Sequence, residues 1–169
     1  MKAREKKNYV DKEQFLKALM SYAAQCREAE EAGDDKPPVP RYIGECMWSI
    51  AKGLAMRGNF SSYPFRDDMI MDGVENCLLY MHNFDPEKTS NPFGYFTKII
   101  WYAFLRRIAK EKKQMYIRYK SSSELLMMGQ TYEGEDFSGI AGAPNLEYIN
   151  EFVSDYEAKI KKASKKDID

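Results

Sequence analysis

Apolar side chains recur every three or four residues along much of this sequence, and that spacing restricts the fold more than any other feature. Ile43, Met47, Ile50 and Leu54, for example, would share one face of a helix. No stretch alternates apolar and polar residues between hairpin turns, as a half-buried strand does. We therefore predict an all-α chain, whose 169 residues suffice for one compact core.

Local signals predict where the helices begin and end. Asp11 stands where an N-cap is expected, with Gln14 three residues later, and Gly33 would end the same helix. Asn91 and Pro92 suit an N-cap and a first helical residue. The predicted helices span residues 11–32, 41–56, 66–84, 91–113 (with a continuation to 119 left open) and 145–162. The third helix is expected to bury Ile70, Val74, Cys77, Leu78 and Met81.

The composition changes after Lys120, and this change divides the chain into three predicted parts. Residues 1–120 form the main helical domain. Residues 121–144 carry the serines and glycines typical of a flexible linker. Residues 145–169 form a short C-terminal amphipathic helix and tail.

The net charge of zero is a sum over strongly polarised blocks. Residues 98–120 hold eight basic side chains against one acid, whereas residues 64–87 hold six acids against one Arg or Lys. Residues 121–158 hold eight acids and no Lys or Arg. Each block can therefore have its own partner, a basic one for the acidic stretch and a nucleic acid for the basic stretch.

The sequence disfavours several other classes. Three cysteines without a CxxC pair predict neither a disulfide framework nor a zinc site, and no apolar run is long enough to span a membrane. The charged N-terminus has no apolar segment behind it, so we do not expect a signal peptide there. A Mg²⁺-dependent nuclease using Asp67, Asp68, Asp72 and His82 is disfavoured, because His82 follows Asp72 by about 15 Å along one helix. We expect no enzymatic activity and no cofactor.

Two strings in the middle of the chain carry a family resemblance. Residues 68–85 read DMIMDGVENCLLYMHNFD, and residues 93–108 read FGYFTKIIWYAFLRRI. The first resembles region 2.2 of bacterial sigma factors, and the second resembles regions 2.3 and 2.4, the promoter-melting helix. Within that superfamily, the chain looks most like the late-transcription sigma factors of T-even-like phages, over about residues 8–120.

The resemblance implies a compact sigma region 2-like domain and a phage-type sigma factor. Such a protein binds bacterial core RNA polymerase in the host cytoplasm and directs recognition and melting of a −10-like, A/T-rich late promoter element. No helix-turn-helix for a −35 element fits after Lys120, which is similar to the late phage factors. A late coactivator and the DNA sliding clamp are further partners that the resemblance implies.

The resemblance and the residue chemistry together assign three sets of site residues. An acidic face with one apolar residue is expected to bind the clamp helices of the polymerase's largest subunit: Asp67, Asp68, Met71, Asp72 and Glu75. Aromatic side chains that stack on unpaired bases, an apolar wedge, and cations that hold phosphates form the DNA set: Phe84, Lys88, Phe93, Tyr95, Phe96, Lys98, Ile99, Tyr102, Arg106, Arg107 and Lys110. Candidates for contact with the polymerase flap or the sliding clamp are Ile149, Phe152, Val153 and Tyr156.

Some alternatives stay open at the level of sequence. Phe93, Phe96 and Phe104 would also suit a hydrophobic core, and the C-terminal helix would also suit packing back on the domain. The tryptophan pair that wedges the duplex in primary sigma factors falls at Ile99 and Ile100 here, so an isoleucine would have to be the wedge. A helical adaptor that binds polymerase without contacting DNA is the alternative function.

Overall fold

The computed structural model describes residues 10–86, 88–127 and 146–166. Over those ranges the chain is all α, with five α-helices, one short 3₁₀ turn and no strand. The helices are α1 (Lys12–Ala32), α2 (Arg41–Ala55), α3 (Arg66–Tyr80), α4 (Pro92–Met127) and α5 (Leu146–Lys166), and the 3₁₀ turn Met81–Asn83 follows α3. The prediction of an all-α fold is confirmed. None of the described helices combines the length and the apolar character that crossing a bilayer requires.

Helix α1 begins and ends where its sequence predicts. The Asp11 carboxylate accepts hydrogen bonds from the backbone N–H groups of Glu13 and Gln14 at 2.9 and 3.0 Å. Gly33 follows the last turn with φ of 75°, a left-handed conformation that favours glycine. Val10 and Phe15, which flank the first turn, are both buried. The first turn is therefore anchored to the core as a hydrophobic staple would anchor it.

Helix α2 lies at the centre of the core. Ile43, Met47, Ile50 and Leu54 are at most 2% exposed, so the apolar repeat in the sequence does mark the buried face. Gly44 lies outside that set, and a Cβ atom there would meet nothing within 4 Å.

The buried stripe of helix α3 agrees with the predicted one only in part, at Ile70 and Cys77. The buried residues are Met69, Ile70, Gly73 and Cys77, whereas Leu78 is 41% exposed, so the prediction that Leu78 is buried is wrong. The physical reason is that the stripe is centred on Gly73, where α4 packs closest, and Leu78 lies outside it by one more step of about 100° around the helix. The regular α-helix also ends at Tyr80 rather than near Phe84.

Helix α4 starts at the predicted place and runs further than predicted. The Asn91 side-chain oxygen accepts a hydrogen bond from the Gly94 N–H at 3.1 Å, and Pro92 is the first helical residue. The helix continues to Met127, so Ser121–Ser123 belong to α4 and not to a linker. There the Ser122 hydroxyl donates to the Arg118 carbonyl at 3.0 Å, within the helix, instead of competing with it. The rest of the predicted linker, residues 128–144, lies outside the described residues.

The chain separates into two compact units, and the division falls inside α4 between Arg107 and Ile108. This is earlier than the boundary at Lys120 that the composition indicates. The first unit holds α1, α2, α3 and the first part of α4. Its largest fully buried side chains include Phe15, Ile43, Met47, Ile50, Met69, Phe96, Ile100 and Phe104. The second unit holds the rest of α4 and α5.

Candidate functional site

An exposed face of α3 combines apolar and acidic side chains. Asp67, Asp68 and Glu75 are exposed there, as the sequence predicts. Met71 and Leu79 are each 58% exposed, and Leu78 lies beside them. We call the set Asp67, Asp68, Met71, Glu75, Leu78 and Leu79 the α3 face. Sequence reasoning missed Leu78 because its spacing also fits a buried stripe, and it did not assign Leu79 to any surface.

Asp72, predicted to belong to that surface, is engaged inside the first unit. Its two carboxylate oxygens accept hydrogen bonds from Nε and Nη2 of Arg107 at 2.7 and 2.9 Å. The Arg107 and Asp72 side chains are only 19% and 29% exposed. Asp72, predicted to contact polymerase, and Arg107, predicted to contact phosphate, therefore form a bidentate ion pair with each other. In this conformation each of the two side chains is paired with the other and remains partly exposed.

Two further contacts hold α3 against α4. Arg106 donates to the side-chain oxygen of Asn76 at 2.6 Å, while its side chain stays at the surface. Gly73 lets the helices approach so closely that a Cβ atom there would lie 3.0 Å from Ile100 and 3.1 Å from Phe104. The two helices are thus joined by an ion pair, a hydrogen bond and close packing of two α4 side chains on the α3 backbone at Gly73.

Phe96, assigned to base stacking from the sequence, is fully buried. Its ring lies 5.5 Å from the ring of Phe15, 6.0 Å from Phe84 and 5.1 Å from Tyr95. Phe96 also follows the buried Pro92 by four residues and precedes Ile100 by four, so it belongs to the inner face of α4. The assignment of Phe96 to DNA contact is therefore corrected to core packing. Phe104 is likewise core, and Phe93 is half-buried.

Phe84 and Tyr95 lie together at the edge of that core. Their rings meet edge to face at 5.2 Å, and both side chains are half-buried. The Tyr95 hydroxyl donates to the backbone carbonyl of Tyr80 at 3.2 Å, and burial raises the pKa of that phenol. The structure thus brings together two predicted aromatic contacts from different elements and fixes the orientation of one of them.

The outer side of α4 carries the predicted basic and aromatic residues at steps of four. Lys98, Tyr102 and Arg106 are exposed, Tyr102 by 50%, and we call these three residues the α4 ridge. Ile99 beside it is half-buried. Ile100 is fully buried against α3, so only Ile99 of the two candidate wedges reaches the surface.

The remaining basic candidates are exposed but differ in their surroundings. Lys88 lies in the loop before α4 and pairs with Asp85 at 3.0 Å, with 84% of the lysine side chain exposed. Lys110 is exposed in the second unit.

An open groove of about 870 Å³, which sequence reasoning missed, lies between α1 and the loop after α3, and residues such as Tyr22, Arg27 and Phe84 line it.

Two of the residues predicted to contact the flap or the sliding clamp pack against α4 within the second unit. Tyr156 stacks on Tyr116 of α4 at 4.6 Å, and Phe152 meets Tyr119 edge to face at 5.5 Å. Ile149 and Val153, the other two candidates, are half-buried. Within the second unit, α5 packs against the C-terminal part of α4.

In the described part of the chain, no three His, Cys, Asp or Glu side chains lie close enough together to hold a metal ion. No protein-family model matches the chain, and no curated protein matches its sequence significantly.

Proposed function

We propose that this chain is a phage-type sigma factor, which binds bacterial core RNA polymerase and directs recognition and melting of a −10-like, A/T-rich late promoter element. The observation that carries the proposal is the exposed α3 face. Met71 and Leu79 are apolar side chains that the core does not use, and acids surround them. Such a surface fits a partner that offers both apolar and basic groups.

A second surface of the same unit supports the DNA-melting part of the proposal. The α4 ridge places Tyr102 between Lys98 and Arg106. An exposed aromatic ring can stack on an unpaired base, and the flanking cations can hold the phosphates of the same strand. The α3 face and the α4 ridge lie on helices joined by the Asp72–Arg107 pair. One rigid unit would thus contact polymerase and promoter together.

The direct test is transcription in vitro with purified bacterial core polymerase on a supercoiled template that carries an A/T-rich promoter. Specific transcripts should depend on addition of this protein. Promoter-independent transcription alone, with no specific start in its presence, would exclude a sigma-type role.

Charge reversal on the α3 face should weaken binding to core polymerase. The double variant Asp68→Lys with Glu75→Lys keeps the Asp72–Arg107 pair and replaces two exposed acids, so the fold should persist. Placing like charges against a basic partner should reduce affinity about tenfold or more, roughly 1.4 kcal/mol. Affinity for immobilised core polymerase and circular dichroism measure the two effects.

A matched control is available on α1. Glu28→Lys with Glu31→Lys makes the same change of charge on exposed residues of a different helix. The control should bind normally. Equal loss in both double variants would indicate a net-charge effect and remove the docking argument.

Removing the ring of Tyr102 should impair melting while leaving polymerase binding unchanged. Stacking contributes roughly 1–3 kcal/mol per base, so Tyr102→Ala should reduce open complexes about tenfold. Permanganate footprinting on duplex and pre-melted templates reads this effect, and the pre-melted template should rescue it only in part. Trp48→Ala, which removes an aromatic side chain 44% exposed on α2, should melt the promoter normally. Normal melting by Tyr102→Ala would make this residue a spectator.

A helical adaptor that binds polymerase without contacting DNA is the second candidate. The burial of Phe96 and the pairing of Arg107 favour it, because both remove side chains from the predicted DNA surface. The two functions differ in one outcome. An adaptor would lose polymerase binding with the α3 variant but would be insensitive to Tyr102→Ala.

A further inference from the structure

A second aromatic and basic surface lies on the C-terminal part of α4. Tyr116 and Tyr119 share one face of the helix with three lysines, since all five fall within about 120° at a step of 100° per residue. We call this set the second α4 face: Lys112, Lys113, Tyr116, Tyr119 and Lys120. Its composition is like that of the α4 ridge, with aromatic rings between cations, but the proposed function makes no use of it.

Helix α5 covers the ring faces of this surface. Tyr156 lies on Tyr116 with a centroid distance of 4.6 Å and an angle of 23° between the rings, which is a stacked arrangement. Phe152 and Tyr148 approach Tyr119 edge to face, at 5.5 and 6.4 Å. The Tyr156 ring therefore occupies the position in which an unpaired base would stack on Tyr116.

The same helix supplies a carboxylate that pairs with Lys120, one of the three lysines of this surface. The Glu157 carboxylate accepts hydrogen bonds from Lys120 Nζ at 2.8 Å and from the Tyr116 hydroxyl at 2.9 Å. Lys120 Nζ also donates to the Tyr116 hydroxyl at 3.0 Å. The three groups form a closed set in which the carboxylate takes the place that a phosphate oxygen would take.

The contacts that hold α5 on the second α4 face are weak. The Lys120 and Glu157 side chains are 44% and 35% exposed, and solvent-exposed ion pairs contribute little to stability. Tyr116, Tyr119, Phe152 and Tyr156 are each only half-buried. An element held in this way can be displaced by a competitor that offers better stacking and stronger charge pairing.

We propose that the second α4 face is a binding site for single-stranded nucleic acid, and that α5 occupies it as an internal mimic. Stacked rings and a carboxylate of α5 stand in for bases and a phosphate. Displacement of α5 opens the site and at the same time frees Phe152 and Tyr156 for another partner. The site is separate from the α4 ridge, and binding to it requires no polymerase.

The test uses the full-length protein without polymerase, with fluorescein-labelled oligo(dT) as the probe in anisotropy titrations. The triple variant Phe152→Ala, Tyr156→Ala and Glu157→Ala deletes the side chains that cover Tyr116 and Lys120. The site is thus open whether or not α5 stays docked. The affinity should rise about tenfold or more, because one recovered stacking contact is worth roughly 1–3 kcal/mol. The dependence on salt should become steeper as Lys120 becomes available.

Two matched variants identify where the gain arises. Adding Tyr116→Ala and Lys120→Ala to the triple variant should abolish the gain. Glu151→Gln removes one negative charge from an exposed position of α5 and should leave the affinity unchanged. Circular dichroism reports whether α5 stays helical in each variant.

Three results would overturn the proposal. They are an unchanged affinity in the triple variant, a gain that survives loss of Tyr116 and Lys120, and an equal gain in Glu151→Gln. A triple variant that gains affinity for core polymerase but not for oligo(dT) would assign the surface to a protein partner instead. Because this assay contains no polymerase, its failure is distinguishable from failure of the sigma-type function.

Discussion

Phe96→Ala is expected to destabilise the first unit by about 3–5 kcal/mol, the range typical of removing a fully buried phenylalanine. The ring is 0% exposed and packs against Phe15, Phe84 and Tyr95. Its removal leaves a cavity among side chains from three segments of the chain, so collapse around it is limited. A loss of this size is a large part of the stability of an ordinary domain. Urea unfolding followed by circular dichroism measures it as a lower midpoint.

Tyr102→Ala provides the comparison on the same helix. That ring is 50% exposed and should cost less than about 0.5 kcal/mol, as surface substitutions usually do. The pair separates a defect of folding from a defect of DNA contact. If Phe96→Ala unfolds at the same urea concentration as the wild type, Phe96 is not core and its assignment to base stacking becomes tenable again.

Gly73→Val is expected to destabilise the same unit by about 3 kcal/mol, at the upper end of what overpacking a core usually costs. A Cβ atom at Gly73 would already lie 3.0 Å from Ile100 and 3.1 Å from Phe104. Both neighbours are fully buried, so any shift that makes room for the new side chain must disturb the core. The added methyl groups would therefore push α3 from α4, which strains the Asp72–Arg107 pair as well. Thermal unfolding and urea unfolding both read this effect.

Gly44→Ala is the control for the loss of a helical glycine. No atom lies within 4 Å of a Cβ placed there, so the substitution should stabilise α2 by up to about 1 kcal/mol through helix propensity alone. Opposite signs at the two glycines would show that close packing, rather than backbone freedom, selects Gly73. Equal effects would contradict the close approach of α3 and α4.

The parts of the fold set by local chemistry could be predicted from the sequence. The start of α1 at Asp11 and its end at Gly33 depend on a carboxylate that reaches nearby N–H groups and on a left-handed residue, and neither needs a distant partner. The start of α4 at Pro92 is a signal of the same kind. The buried face of α2 could also be predicted, since its apolar repeat has a single phase.

The parts that depend on contacts between helices could not be predicted in the same way. Phe96 and Tyr95 are adjacent aromatics, and only the position of α1 and α3 decides which one is buried. Leu78 fits a buried stripe until Gly73 fixes which side of α3 meets α4. Asp72 and Arg107 are 35 positions apart, so their pairing has no local signal. The site residues most affected are therefore those at the junction of α3 and α4.

The bidentate Asp72–Arg107 ion pair affects the distance between the two surfaces that are proposed to contact polymerase and promoter. It holds α3, which carries the surface proposed to meet polymerase, at a fixed offset from α4, which carries the surface proposed to meet the promoter. If α3 could slide along α4, the position at which strand separation begins would vary. With both surfaces acting as proposed, a rigid junction would fix the distance between the polymerase contact and the −10-like element. The distance from that element to the transcription start would then be set by the structure of this protein.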